Sequence, residues 1–222
     1  MPHCLMITKY FGFEQLKYLY DKHGIDCVIA EEVRADILED INKKLKKYPD
    51  NSLLTVRTAT FIGNDFGMPS NVKCSKADAL DWIYKKFNEN SNYAFFISSY
   101  VNSHICGRIH ISLLDTRIDL TIGDFEEFSH GFIDISIKKE FNSFYNILKS
   151  SEEAIESNVI NELVIDQVIR LSNNLLKIYK SDLESKFGLT YEFDFVIGEY
   201  ENQLGICSDS FLKLISMRTY SL

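Results

Sequence analysis

The sequence predicts an α+β fold. Three features carry that expectation. Asn158 to Phe187 form one long helical stripe, with Ile160, Val164, Val168, Leu171, Leu175, Ile178 and Leu183 on one side. Tyr93 to Val101, Cys106 to Leu113, Arg117 to Ile122 and Gly131 to Lys138 alternate with the period of strands and follow one another across turn-forming residues. Two more strands, Thr190 to Ile197 and Phe211 to Met217, come after the long helix. Runs of strands segregated from helices give a mostly antiparallel sheet with helices packed against it.

The elements follow in order. Phe13 to His23 reads as a helix, and Gly24 suits the left-handed position that ends one. Ile25 to Ala30 is a short apolar run of strand character. Glu31 to Tyr48 is expected to be helical, with Val33, Ile37, Ile41, Leu45 and Tyr48 along one side, acids early and bases late. Pro49 to Ser52 is a turn, and Leu53 to Ala59 a strand. Ser75 is placed to cap a helix reaching Asn90, with Ala79, Leu80, Ile83 and Phe87 as its stripe. Gly188 ends the long helix.

Composition bounds the function. The chain has 222 residues, 45% of them hydrophobic, enough for one module with a sizeable core and no need of metal or disulfide staples. A net charge of −8 argues against nucleic-acid binding, which needs a basic face. The basic group Lys43, Lys44, Lys46 and Lys47 reads as a solvated helix end. Five scattered cysteines without CxxC spacing match neither a disulfide framework nor a zinc site and point to the reducing cytoplasm. No signal segment and no apolar run of membrane-spanning length is present, so membrane insertion is not expected.

Arg57 ends the strand Leu53 to Arg57 and opens a polar loop containing Gly63, Gly67 and Pro69. A fixed cation there suits an anion such as a phosphate. On this stretch alone, pairing with a neighbouring carboxylate such as Asp65 is the plainer reading. A second constellation lies near the C-terminus. In Tyr191 to Ile197 the aromatics Tyr191, Phe193 and Phe195 share one face with Ile197, and Glu192, Asp194 and Val196 share the other. The run Phe211 to Arg218 can bring Ser216 and Arg218 beside those acids. The set is compatible with a divalent cation shared with phosphate, and equally with a structural Asp194–Arg218 ion pair.

The order of these segments resembles the ATP-grasp nucleotide-binding domain of phosphoenolpyruvate synthase and pyruvate phosphate dikinase. Thr55 to Ala59 followed by Asp65-Phe66-Gly67-Met68-Pro69 is similar to the family's Val-Arg-Ser-Ser strand and loop. Phe96 to Val101 and Gly107 to Ile111 resemble its paired sheet strands. Glu192 to Ile197 is similar to its Asp-Ile-Glu-Trp strand, and Leu214 to Thr219 to its terminal Leu-Gln-x-Arg strand. Together these span residues 53 to 219. Departures accompany the likeness. Ser216 and Ser98 stand where glutamines are expected, and Gly123 to Gly131 replaces a Gly-Leu-Gly-Glu loop.

The resemblance implies a two-lobed, shortened module, with an α/β lobe over residues 1–90 and the sheet, long helix and closing hairpin over 91–222. It implies ATP and Mg2+ as ligands. Arg57 and Arg218 would contact phosphate and act in catalysis. Asp194 with Glu192 would hold the metal. Ser98, Tyr100 and Ser216 would line the nucleotide site. The activity implied is phosphotransfer to an unidentified acceptor, for which a partner protein is one candidate carrier. The alternative is a degenerate module acting through protein–protein contacts. Among the histidines, His104, His110 and His130 lack diagnostic metal-ligand spacing and read as ordinary turn or strand residues. No Walker loop, Rossmann fingerprint or nucleophile elbow occurs.

Overall fold

Two antiparallel sheets, each with its own buried face, organise the chain. The computed structural model describes residues 9–36, 38–60, 68–124, 128, 131–140, 143–151 and 159–221. In chain order the elements are α1 (Lys9–His23), β1 (Glu31–Val33), α2 (Leu38–Leu45), β2 (Leu54–Thr60), β3 (Ser70–Cys74), α3 (Lys76–Glu89), β4 (Tyr93–Ser99), β5 (Val101–Ser112), β6 (Asp115–Ile122), β7 (Ile135–Glu140), β8 (Asn146–Ser150), α4 (Glu162–Ser185), β9 (Leu189–Asn202), β10 (Gly205–Ile206) and β11 (Phe211–Ser221). The α+β class and the antiparallel sheets are as expected. None of the described helices is long and apolar enough to cross a membrane.

The small sheet has the order β1-β4-β2-β3. Leu54, Val56, Phe95 and Ile97 point to one side, where Ile41 and Leu45 of α2 and Ala79 and Ile83 of α3 cover them. Helix α3 starts as its sequence requires. The Ser75 hydroxyl accepts from the Asp78 N–H while the Asp78 carboxylate accepts from the Ser75 N–H.

The large sheet runs β9-β5-β6-β7-β8, with β11 and β10 on the outer side of β9. Its apolar face carries Ile109, Ile111, Ile118, Leu120, Phe193, Phe195 and Met217, packed on α1 and α4. Phe193 and Phe195 are fully buried, each contributing roughly 1.5–3 kcal/mol of burial. Helix α4 presents Val168, Leu175, Tyr179 and Leu183 to this face. Helix α1 lies so close to β11 that a Cβ at Gly12 would come 2.4 Å from the Met217 carbonyl oxygen.

Three expectations need correction. The helix expected from Glu31 divides. Glu31–Val33 extends along the open edge of β4, and only Leu38–Leu45 is helical, because sheet pairing outweighs the helical stripe. Ile25 to Ala30 forms no full strand but a single parallel bridge, with Val28 N–H donating to the Leu214 carbonyl and Leu214 N–H to that of Asp26. Strand β4 belongs to the small sheet, so the change of sheet falls between Ser99 and Val101 and not at residue 90, while α1 packs with the large core.

Candidate functional site

The polar face of the large sheet is written into its strand alternation. Residues whose apolar neighbours face α4 point the other way, and register aligns them in rows. One row runs Ser216 (β11), Asp194 (β9), Arg108 (β5), Asp119 (β6), Ser136 (β7). The next runs Arg218, Glu192, His110, Arg117, Lys138.

Asp194 is the centre. Its Oδ1 accepts from Arg108 Nε at 2.6 Å, and its Oδ2 accepts from Arg218 Nη2 at 3.0 Å and from the Ser216 hydroxyl at 2.5 Å. Glu192 lies beside it. Its Oε2 accepts from the Tyr220 hydroxyl at 2.8 Å, and its Oε1 is 3.0 Å from His110 Nδ1. Burial pushes the Glu192 carboxyl up. The hydrogen bonds from His110 and Tyr220, with Arg108 nearby, outweigh that and hold it below the usual carboxylate value. Burial would lower the Arg108 guanidinium, but Asp194 and Glu192 outweigh it and hold the group firmly charged. Asp119 is occupied separately, by Arg117 Nε at 2.9 Å and the Ser136 hydroxyl at 2.6 Å.

Arg57 enters from the other sheet. It alternates with Val56 on β2, so it points away from the small core, and its Nη1 donates to the Ile215 carbonyl of β11 at 2.9 Å. Burial lowers its affinity for a proton; Asp194 opposes that shift and Arg218 adds to it, so Arg57 shares the field of the cluster. The sequence-predicted Arg57, Glu192, Asp194, Ser216 and Arg218 therefore converge. The pairing of Arg57 with Asp65 lies outside the described residues. Ser98 is buried on the same face of the small sheet as Arg57, opposite Thr55.

Tyr100 does not join the cluster. It stands at the far end of the sheet under the Lys73 ammonium, where Lys73 pairs with Glu201. Val101 faces Tyr200 in the register, roughly 20 Å along β9 from Asp194 at about 3.3 Å per residue. His104 pairs with Glu199 near that end, and His130 lies outside the described residues.

Sequence reasoning missed Arg108 and discounted His110. Their signal was present, since they alternate with Gly107, Ile109 and Ile111 in a central strand. What the sequence alone does not supply is that β5 lies beside β9, bringing Arg108 against a partner 86 residues away.

The metal role expected for Asp194 and Glu192 does not fit this arrangement. All four carboxylate oxygens already accept from, or closely approach, a guanidinium, hydroxyl or imidazole. Among the described residues no group of three His, Cys, Asp or Glu side chains is arranged to hold a metal ion. The structural Asp194–Arg218 ion pair, the other sequence reading, is formed.

No family model matches the chain, and no curated protein matches it. Solved structures show a distant likeness of fold. Over 93% of its length the chain is similar to D-alanyl-alanine synthetase A from Vibrio cholerae, with 12% identity, a TM-score of 0.48 and 54% of that chain covered. Over 93% it is similar to D-cycloserine synthetase DcsG, with 11% identity, a TM-score of 0.44 and 61% covered. Over 97% it is similar to an ATP citrate lyase from Methanothrix soehngenii in complex with citrate and coenzyme A, with 13% identity, a TM-score of 0.47 and 50% covered. The chain thus spans between half and two thirds of the length of each. Likeness of this grade concerns the path of the chain and not its chemistry.

Proposed function

We propose that this chain is a nucleotide-binding module of the ATP-grasp kind, of the phosphoenolpyruvate synthase and pyruvate phosphate dikinase type, and that the arginine-rich face receives the polyphosphate. One observation carries the reading. Arg108 from β5 and Arg218 from β11 donate to one buried carboxylate, and Arg57 from the small sheet, held on the neighbouring Ile215 carbonyl, shares their electrostatic field. Three guanidinium charges stand against the two carboxylates Asp194 and Glu192, leaving one positive charge over (3 − 2) for an incoming anion. Guanidinium forks suit phosphate oxygens.

The finer form of this reading is phosphotransfer from ATP to an acceptor on a partner protein. The arginines would then offset charge on the transferring group. A second reading, a module that binds nucleotide as a signal without turnover, is favoured by one specific observation. Asp194, which would serve the chemistry, is held by three protein groups. For the compartment we propose the reducing cytoplasm, in keeping with the free Cys27, Cys74 and Cys207.

Calorimetric titration of ATP into the wild-type chain and into Arg218→Ala tests the site. Saturable binding that weakens by roughly tenfold or more in the variant is expected, about the loss of one charge-assisted contact. No heat with any nucleotide, or equal affinity in both proteins, overturns it. Release of ADP under the same conditions separates phosphotransfer from binding alone.

A further inference from the structure

We infer that Arg108 does for this face what a divalent cation would otherwise do, and that its ligand is a polyphosphate without bound metal. The inference rests on the polyphosphate-binding reading above and adds the ionic form of the ligand.

The donors argue for it first. Hard divalent cations need several free oxygen ligands. Here Asp194 Oδ1 is taken by Arg108 at 2.6 Å and Oδ2 by Arg218 and Ser216. Glu192 is taken by Tyr220 and His110, with Arg108 Nε at 4.0 Å and Arg218 Nη1 at 3.8 Å. A metal entering this set would have to displace a guanidinium and leave that charge beside it, at high cost in a buried site.

The order of burial argues for it second. The carboxylates lie inside, with side-chain exposures of 2% for Asp194 and 13% for Glu192. The arginine side chains are more exposed, at 23% for Arg108 and 31% for Arg218. A species approaching this face meets cations first. That is the layering of an anion receptor, and a metal site has the reverse. Arg108 is also fixed in direction, since its guanidinium lies 5.2 Å from the centre of the Phe128 ring. A positioned, permanently charged group needs no metal to be recruited before the anion binds.

Titrations of wild-type protein with ATP and with inorganic tripolyphosphate, each in EDTA and in excess magnesium chloride at matched ionic strength, test this. The expected result is dissociation constants in EDTA that agree with those in magnesium within about threefold, or are lower. A loss of roughly tenfold or more on removing magnesium overturns the inference and leaves the nucleotide reading standing. Tripolyphosphate binding in EDTA without ATP binding does the opposite. No binding in any arm overturns both. Arg108→Met is expected to weaken metal-free ATP by roughly tenfold or more and to make binding respond to magnesium. Unchanged metal-free binding in that variant counts against Arg108. If the variant fails to fold, the wild-type titrations decide.

Discussion

Asp194→Asn should make this protein less stable and a better anion binder at once. The native carboxylate is 2% exposed and neutralises Arg108 and Arg218 directly. Removing one member of a buried ion pair costs about 3–5 kcal/mol. The lower end applies, because the Arg108 and Arg218 side chains are 23% and 31% exposed and recover some hydration. A loss of about 3 kcal/mol should lower the melting temperature by about 6–12 °C in a chain of this size. The effect on ligand has the opposite sign. With one negative charge gone, an incoming phosphate loses a repulsive partner. At about 6 Å and an effective dielectric of about 40, that repulsion is about 1.4 kcal/mol, or roughly tenfold in affinity. Urea denaturation gives the first quantity and calorimetry with metal-free ATP the second. A variant that folds and binds metal-free ATP more weakly than wild type would refute the reasoning. A variant as stable as wild type would show that the arginines do not depend on it. The double change Arg108→Met/Asp194→Asn removes a cation with the anion and should recover about half of the lost stability.

Other outcomes follow from the same structure. Gly12→Ala puts a Cβ 2.4 Å from the Met217 carbonyl oxygen and should cost about 1–3 kcal/mol in urea denaturation, since α1 must lift from β11. Glu192 has a folded pKa below its unfolded value, so its stabilisation is complete above about pH 4.3 and is lost as pH falls through the lower folded value. Thermal melts of wild type between about pH 5 and pH 3 should therefore fall more steeply than those of Glu192→Gln. In a Cys4→Ser background, Ellman's reagent should label the exposed Cys207 rapidly. Cys27, whose thiol burial pushes up to about 12, should react only after unfolding.

Much of the fold was legible because it is locally encoded. The Ser75–Asp78 capping box sits three residues apart just before an apolar stripe, and the helix begins there. Gly24 directly follows α1 and takes a φ of 64°, as its place after the last turn requires. Helix α4 ends earlier than expected, at Ser185 with Lys186 as its cap, and Gly188 at φ 80° serves the turn into β9. The alternation of Tyr191 to Ile197 gave both faces of β9 correctly. Strands β3 and β8 were not legible. Ser70–Cys74 is a mostly exposed edge and Asn146–Ser150 is exposed throughout, so neither carries the apolar alternation that marks a half-buried strand. Helix α2 was overextended because Val33 fits both the helical stripe and a strand pointing inward. Only the neighbouring edge of β4 decides between them. The site divides in the same way. Asp194 and Arg218 stand out within their own strands, whereas Arg108 acquires its role from the adjacency of β5 and β9.

One irregularity assembles most of this face. The pairing of β11 with β9 shifts between Leu214, opposite Phe195, and Ser216, opposite Asp194, which leaves Ile215 as an extra residue in the strand. Without it, Ile215 would face Asp194 and Met217 would face Glu192. Ser216 and Arg218 would then turn into the aromatic core, because a one-residue slip exchanges the two faces of a strand. The bulge keeps Leu214 and Met217 in the core while giving Ser216, Arg218 and Tyr220 to the acids of β9. It serves the other sheet as well. The carbonyl that receives Arg57 is that of Ile215, the residue without a cross-strand partner in the register. A single added residue thus sets the polar row and gives the distant arginine its anchor. Its placement, three residues before Arg218, makes the convergence of Arg57, Asp194 and Arg218 a consequence of local backbone geometry and not of loose side-chain proximity.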